Sequence, residues 1–345
     1  IQIESLPDPI GYPDKIMLTG SCFTEHIGNA LRDWKFDVLQ NPHGILFDPA
    51  SVASSLVAYM DNRPYREEDL VYFNELWQSW QHHSHFSHVD KGEALRGINA
   101  SLGRAHTFLK EAKWLIITLG SSFSYRLAPD APEQFRPGGW LTDGNDTLTG
   151  LVAGGMPVAN CHRAPGQVFR KHLMTIEEIN TALDNCLYRL FQFNPSLQII
   201  FTVSPVRHIR DGVVENNRSK ARLIEVVHHL VNKFSRLWYF PAYELVIDVL
   251  RDYRFYDIDM VHPNYPATQF VLEHFTRHYI DKGSQAVLEE VRKIVIARRH
   301  KPFQPTTQAH QRFLEDQLEK ARDLAKRCPF LDLGEEMEYF AGGRH

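Results

Sequence analysis

Residues 15–34 read KIMLTGSCFTEHIGNALRDW, and this stretch decides the fold. It begins with a short apolar run that ends at Gly20, and a helical pattern starts directly after Ser21 and Cys22. A strand, a tight turn and a helix in succession form the repeating unit of doubly wound α/β domains. In such domains the turn after a strand borders the ligand crevice, so the two adjacent nucleophiles stand where chemistry is expected.

The same alternation of apolar runs and helical stretches continues along the chain. Most of the runs are uninterrupted, as expected for strands that are buried on both faces. Further parallel strands are predicted at 36–41, 113–120, 197–205 and 237–244. The pattern predicts a three-layer α/β/α sandwich with a mainly parallel sheet over residues 1–282. Residues 283–345 are predicted to form a helical C-terminal appendage, which either packs on the core or mediates homo-oligomerisation.

Composition argues against several classes of function. The 345 residues carry a formal net charge of −4, which gives no electrostatic basis for binding nucleic acid or an anionic membrane. No apolar run is long enough to span a bilayer. The polar, proline-rich start is not typical of a secretory signal, although the missing initiator Met leaves open that a short leading segment has been lost.

The four cysteines indicate a reducing environment. They are Cys22, Cys161, Cys186 and Cys328, which are far apart and form no CxxC motif. Such spacing predicts free thiols rather than a metal site or a disulfide framework. We therefore expect a cytoplasmic protein.

The loops that follow the predicted strands contain a nucleophile, a base and a carboxylate. The last of them, DIDMVHPN, places Asp259 three residues before His262. In this arrangement the Asp can fix the imidazole tautomer, and the His can accept the proton of Ser21. The absence of a GxSxG elbow argues against an α/β-hydrolase. The absence of HExxH, P-loop and strand-linked GxGxxG motifs argues against zincin, NTPase and dinucleotide-binding functions.

Seven motifs together resemble the GSCFA family. They are GSCF, NPHGILFDP, TLGS, NCHR, TVSPVRH, YFPAYE and DMVHPN, which occur in this order between about residues 15 and 280. The GSCFA family is similar to the SGNH (GDSL-like) hydrolases as a distant relative. The resemblance implies an SGNH- or flavodoxin-like fold and serine-dependent ester hydrolysis or acyl transfer. It implies no metal and no cofactor.

The resemblance also implies roles for individual residues. Ser21 matches the nucleophile, and its backbone amide contributes to the oxyanion hole. Gly44 matches the glycine that supplies a second backbone N–H, and Asp259 and His262 match the DxxH pair.

The third motif departs from the SGNH pattern. SGNH enzymes carry GxND there, with the Asn as an oxyanion donor, whereas Gly120 is followed by Ser121 and Ser122. The loss of one such donor typically costs about 10²–10³ in turnover. Two replacement donors are predicted, the side chain of Asn160 first and the hydroxyl of Ser122 second.

Each of these residues also has a plain structural interpretation. Ser21 could serve only as a helix N-cap, and Asp259 with His262 could form a local Asx-type turn. Cys22 is the rival nucleophile, because a thiol at a helix N-terminus is activated. We favour Ser21, since Cys22 is one residue further into the turn and is expected to point toward the sheet.

Other polar residues are predicted at the rim of the site. Arg207 and His208 follow the fourth strand and would bind an anionic group of the substrate, and His162 of NCHR would contact it as well. Their alternatives are a salt bridge and hydrogen bonds within the loop. The HHSHFSH segment has no accompanying carboxylates, which disfavours metal binding. Trp80 or His85 there could form a substrate wall.

The sequence thus predicts a serine-dependent esterase that acts on an acyl ester of a small or carbohydrate-like substrate. Ser21, His262 and Asp259 would be its triad. Two alternatives remain open: an O-acyltransferase with the same triad, and a degenerate SGNH fold that binds a ligand without catalysis.

Overall fold

The computed structural model describes residues 1–138 and 157–342. The strands are β1 Lys15–Gly20, β2 Asp37–Gln40, β3 Val71–Phe73, β4 Leu76–Gln78, β5 Trp114–Leu119, β6 Phe123–Leu127, β7 Phe169–Leu173, β8 Gln198–Val203 and β9 Leu237–Tyr239. The helices are α1 Cys22–Asp33, α2 Pro49–Asp61, α3 Lys91–Glu111, α4 Ile176–Phe193, α5 Val213–Lys233, α6 Ala242–Glu244, α7 Tyr265–Tyr279, α8 Lys282–Arg299, α9 Gln308–Arg327 and α10 Gly334–Gly342.

Five parallel strands form the central sheet, in the order β2-β1-β5-β8-β9. The chain leaves β1 in one direction to form β2 and returns to the other side of β1 to form β5. This reversal is the topological switch point at which doubly wound sheets bind ligands. The carboxyl ends of β1 and β5 therefore flank the expected crevice.

Alternate residues of the strands face two separate helical layers, because successive side chains of a strand point to opposite faces. Met17 faces the layer built from α2, α3, α4 and α5. Its neighbours Ile16 and Leu18 face the layer that contains α1, α7 and α8. The predicted three-layer α/β/α sandwich is thereby confirmed.

The fold departs from the sequence prediction in two places before α7. The strand expected over 237–244 ends at Tyr239, because Pro241 has no N–H to continue the ladder, and the chain turns into α6 and a π-helical stretch, Leu245–Leu250. The segment 121–170, for which no strand is predicted, contains β6 and the start of β7, which pair antiparallel. Residues 139–156 of that segment lie outside the described residues.

The C-terminal segment contains three helices in its described part, α8, α9 and α10. Their apolar faces, with Leu314, Leu324 and Phe340, join the same buried cluster as Ile16 of the sheet. This contact corresponds to packing on the core, the first of the two expected roles. The domain boundary at residue 282 stays a prediction. Within the described chain, no helix combines the length and apolar character needed to cross a bilayer.

Candidate active site

The turn after β1 has a geometry that requires glycine. Gly20 has φ +139°, and a Cβ on it would lie 2.1 Å from the Thr118 carbonyl oxygen of β5. The next residue, Ser21, keeps the sheet pairing through its backbone N–H, which donates to the same oxygen at 3.0 Å. The turn at Gly20–Cys22, called the nucleophile turn because it carries the predicted nucleophile Ser21, is thus held tightly against the end of β5.

Ser21 occupies the N-cap position of α1, but its side chain makes no capping hydrogen bond. The residue is fully buried, and its Oγ has no hydrogen-bond partner among the described residues. A buried hydroxyl without a partner is uncommon in proteins, since the lost hydration is not compensated. The capping interpretation therefore does not account for this serine.

Asp259 and His262 form a hydrogen-bonded pair at the surface. The Nδ1 atom of His262 lies 2.6 Å from Oδ2 of Asp259. The other carboxylate oxygen, Oδ1, accepts the backbone N–H groups of Val261 and His262 at 2.8 and 3.0 Å. These hydrogen bonds lower the pKa of Asp259 to about 2. The local-turn interpretation and the base–carboxylate interpretation therefore describe the same structure, because the turn holds the Asp259 carboxylate where it orients the His262 imidazole.

Two other histidines interact electrostatically with His262. His26 lies one helical turn after Cys22, and burial lowers its pKa, with a smaller contribution from the nearby charge of His262. His208 interacts with both His262 and Lys220, and burial lowers its pKa to about 4. The loop of the pair is also tied to the end of β8, because the Arg207 backbone N–H donates to the Val261 carbonyl.

Three of the four predicted oxyanion donors are already bonded. The N–H of Ser21 donates to Thr118, and that of Gly44 donates to the Asn41 carbonyl at 2.7 Å. The Ser122 hydroxyl donates to the carbonyl of Ser219 on α5 at 3.1 Å. Asn160 differs, since its Oδ1 accepts the His162 N–H, which leaves Nδ2 as a donor for a ligand.

The three predicted substrate-binding residues have different surroundings. The Arg207 guanidinium lies over the rings of Tyr253 and Tyr256 and donates to the Tyr253 hydroxyl. The His208 ring meets the ring of Phe47 edge-on, with its Nε2 buried and unpartnered within the described structure. His162 lies against Trp80, and its Nε2 is 2.8 Å from the Ser79 carbonyl oxygen.

A protein-family model matches most of the chain. The GSCFA family model matches residues 15–134 and 145–275, which include both the nucleophile turn and the Asp259–His262 loop. The chain belongs to the GSCFA family. A second match, to the C-terminal domain of GSCFA domain proteins, covers residues 291–342 and so includes α9 and α10. A comparison with curated proteins finds no match.

The site also contains a lysine, Lys220, that was not predicted from the sequence. Lys220 of α5 is 1% exposed, and its Nζ donates to the carbonyl oxygens of Gly120 and Ser204, both at 2.6 Å. These carbonyls follow β5 and β8 directly, so the lysine joins the ends of two neighbouring strands. A signal was present, because Lys220 shares the apolar stripe of α5 with Leu223 and Val227.

Phe47 is a second residue of the site that was not predicted from the sequence. Its carbonyl accepts the N–H groups of Gly120 and Ser121, and its ring reaches the Gly120 backbone and His208. Phe47 is partly exposed. It therefore lies between the nucleophile turn and the histidine that follows β8.

Within the histidine-rich segment His82 is buried, whereas His83 is partly buried and His85 and His88 are exposed. The ring of His82 is tilted by 50° against that of His43, with centroids 4.1 Å apart, and its Nδ1 is hydrogen-bonded to the Ser79 hydroxyl. Both ring nitrogens of His43 are buried without a partner in the described chain, and burial lowers its pKa to about 3. No three His, Cys, Asp or Glu side chains of residues 1–138 and 157–342 are grouped to hold a metal ion. Trp80 is buried against Phe135, so its predicted role as a substrate wall has no support in this conformation.

Proposed function

We propose that this GSCFA protein is a serine-dependent esterase of SGNH type, which hydrolyses an acyl ester on a small or carbohydrate-like substrate. Ser21 is the nucleophile, His262 the general base and then the general acid, and Asp259 the residue that orients the imidazole. The reaction requires no cofactor, because the base and the nucleophile supply the proton transfer and the covalent step.

The hydrogen bond between His262 and Asp259 is the observation that carries this proposal. It uses Nδ1, which fixes the proton there and leaves Nε2 to accept a proton from the nucleophile. The Asp259 carboxylate stays ionised at neutral pH, since its pKa is lowered to about 2. It can therefore stabilise the imidazolium that forms when Ser21 attacks.

The proposed catalytic step uses these three residues. Ser21 Oγ attacks the ester carbonyl while its proton moves to His262, and the protonated imidazole then donates to the leaving alcohol. Water repeats the sequence on the acyl-enzyme and releases the acid. The Nδ2 group of Asn160 is the proposed donor to the oxyanion, since its Oδ1 is already bonded to His162.

A second candidate function is ligand binding without catalysis. Ser21 Oγ is buried and makes no bond to His262, and the backbone N–H groups of Ser21 and Gly44 are engaged. Ser21 is fully buried, so an ester can reach its Oγ only if the surrounding residues move. If this conformation persists when a ligand binds, the protein holds the ligand without forming an acyl-enzyme.

Labelling with a fluorophosphonate probe separates these candidates. We expect the wild-type chain to be labelled, Ser21→Ala and His262→Ala to lose the label, and Cys22→Ala to keep it. The adjacent cysteine is the matched control, because it shares the turn but not the proposed role. Labelling that survives in Ser21→Ala, or no labelling of folded wild-type protein, would refute the serine esterase.

Hydrolysis and acyl transfer are distinguished with short-chain aryl esters. Turnover is measured with and without an alcohol acceptor, and the products are identified by mass spectrometry. A hydrolase releases free acid at the same rate in both cases. Acceptor-dependent formation of a new ester would identify an O-acyltransferase with the same triad.

A further inference from the structure

A cleft of about 280 Å³ opens on the surface between α1, α7 and α8. Each helix contributes residues at positions i, i+3, i+4 and i+7. These stretches run from His26 to Asp33, from Tyr265 to Leu272 and from Arg292 to Arg299. Residues at this spacing lie on one face of a helix, so three helical faces converge on the cleft.

One end of the cleft lies near the proposed triad. His26 follows Ser21, the N-cap of α1, by five residues, which corresponds to about 7–8 Å along the helix axis. Tyr265 is the first residue of α7 and follows His262 by three residues. This end is therefore formed by the N-terminal parts of the two helices that follow the nucleophile and the base.

The C-terminal region completes the cleft. The lining residues of α1 and α7 lie within the GSCFA family match, which ends at residue 275. Those of α8 lie within the match to the C-terminal domain, which begins at residue 291. Ligand sites occur preferentially where two domains meet. The cleft has this location, because it needs residues from both matched regions.

The charged side chains of the cleft are already paired. Asp33 lies 2.7 Å from Arg299, and this ion pair joins α1 to α8. Arg292 lies over the ring of Trp34 and is 3.3 Å from Glu289. The two positive and two negative charges cancel. The cleft therefore offers no excess charge that would select an ionic ligand.

The rest of the lining combines an apolar floor with uncommitted polar groups. Leu272 and Val295 form part of the floor and are 4% and 7% exposed. The Gln269 amide and the Tyr265 hydroxyl make no hydrogen bond to another described residue, and Asn29 uses only its Oδ1. Amides and hydroxyls can both donate and accept hydrogen bonds, as a ligand hydroxyl can. A sugar ring matches this lining, because it has C–H groups on its face and hydroxyls at its edge.

We propose that this cleft binds a neutral polyhydroxyl ligand such as a sugar unit, and that α8 takes part in its recognition. In the proposed esterase, on which this role rests, the sugar is the alcohol part of the ester. Its ester oxygen lies toward His262, whose imidazolium donates a proton to that oxygen as the bond to the acyl carbon breaks. The ring of Tyr265, which is 74% exposed, is available to stack on the sugar.

Binding of methyl glycosides tests the cleft without any ester chemistry. Methyl glycosides of glucose, galactose and mannose are titrated onto the full chain and followed by ligand-observed NMR. We expect at least one to bind, and Gln269→Ala to weaken that binding about three- to tenfold through the lost hydrogen bonding. Glu273→Ala, one turn further along α7 and outside the lining, is the matched control. No binding of any glycoside, or equal affinity of Gln269→Ala and the wild type, would overturn the proposal.

A bulky substitution tests the contribution of α8. Ile296 is 67% exposed at the rim, so Ile296→Trp narrows the cleft without entering the core. This variant should lose detectable glycoside binding. Lys293→Trp adds the same ring at an exposed position of α8 outside the lining and should bind as the wild type does. Undiminished binding by folded Ile296→Trp would overturn the role of α8.

Two further measurements separate this inference from its alternatives. Inorganic phosphate is titrated in parallel, and binding of phosphate in place of the glycosides would overturn the neutral ligand class. Fluorophosphonate labelling of Ser21 is determined on the same samples. Labelling without glycoside binding would overturn the cleft proposal alone, whereas glycoside binding without labelling would overturn the esterase alone.

Discussion

His262 and the carboxylate of Asp259 are joined twice, by the 2.6 Å bond between the imidazole Nδ1 and Oδ2 and by the His262 backbone N–H, which donates to Oδ1. The second bond restrains the carboxylate while the first orients the ring. Both groups are substantially exposed, so the pair faces solvent.

Asp259→Asn is expected to reduce ester turnover by about 10⁴-fold with little change in stability. The amide can donate to Nδ1 and thereby favour the tautomer that has no lone pair on Nε2. Asp257→Asn is the control on the same loop, since the Asp257 side chain has no bond to the imidazole among the described contacts, and it should retain turnover. The measurement is kcat for an aryl ester, with the melting temperature determined in parallel. Equal activity of the two variants would contradict the role of Asp259.

Gly120→Ala is expected to impair the site more than the fold. Its Cβ would lie 3.1–3.3 Å from Ser21 and Phe47, which is close enough to displace the nucleophile turn by a few tenths of an ångström. Such displacements reduce turnover strongly, by about 10²-fold for misplacements near 1 Å. Fluorophosphonate labelling rate and thermal melting are the readouts.

Gly103→Ala is the matched control for that substitution. Gly103 lies within α3 with no atom within 4 Å of the added Cβ, so the alanine should stabilise the chain by about 0.5–1 kcal/mol and leave labelling unchanged. Labelling of Gly120→Ala at the wild-type rate would contradict the tight packing inferred at the turn.

Acidification below pH 6.5 is expected to destabilise the protein through His43. Burial lowers the pKa of this residue to about 3, so the unfolded chain binds the proton first as pH falls from 6.5. The free energy of unfolding should then decrease by about 1.4 kcal/mol per pH unit from this residue alone. Urea unfolding at pH 5 and pH 7 measures the difference, which should be smaller by about 2 kcal/mol in His43→Leu, because about 1.5 pH units separate pH 5 from the unfolded-state pKa. An identical pH dependence in both proteins would contradict the buried neutral state of His43.

Glu336→Gln is expected to loosen the C-terminal helices. The Glu336 carboxylate is 1% exposed and lies 2.8 Å from Lys35 and 3.0 Å from Arg298, so its loss leaves two cations without this partner. The cost is about 2–4 kcal/mol, toward the lower part of the range for broken buried pairs because the cations are partly solvated. Glu335→Gln, at a fully exposed position beside it, should leave the free energy of unfolding nearly unchanged, because solvent screens its ion pair with Arg298. Urea unfolding compares the two, and equal destabilisation would contradict the buried network.

The sequence alone determined the architecture and the base–carboxylate pair. Continuous apolar runs separated by helical stretches predict a parallel sheet, because strands covered on both faces have no polar side. Asp259 and His262 are three residues apart within one turn, so their contact depends on local backbone geometry. Local sequence patterns such as these can be interpreted without knowing which other segments pack against them.

Tertiary structure decided which groups at the site are available. The N–H of Ser21 is used by β5, the hydroxyl of Ser122 by α5, and the amine of Lys220 by the carbonyls at the ends of β5 and β8. Apart from Ser204, which is 16 residues from Lys220, these partners come from segments about a hundred residues away. Burial and hydrogen bonding of a group depend on what such distant segments place around it, and no local pattern of residues specifies that.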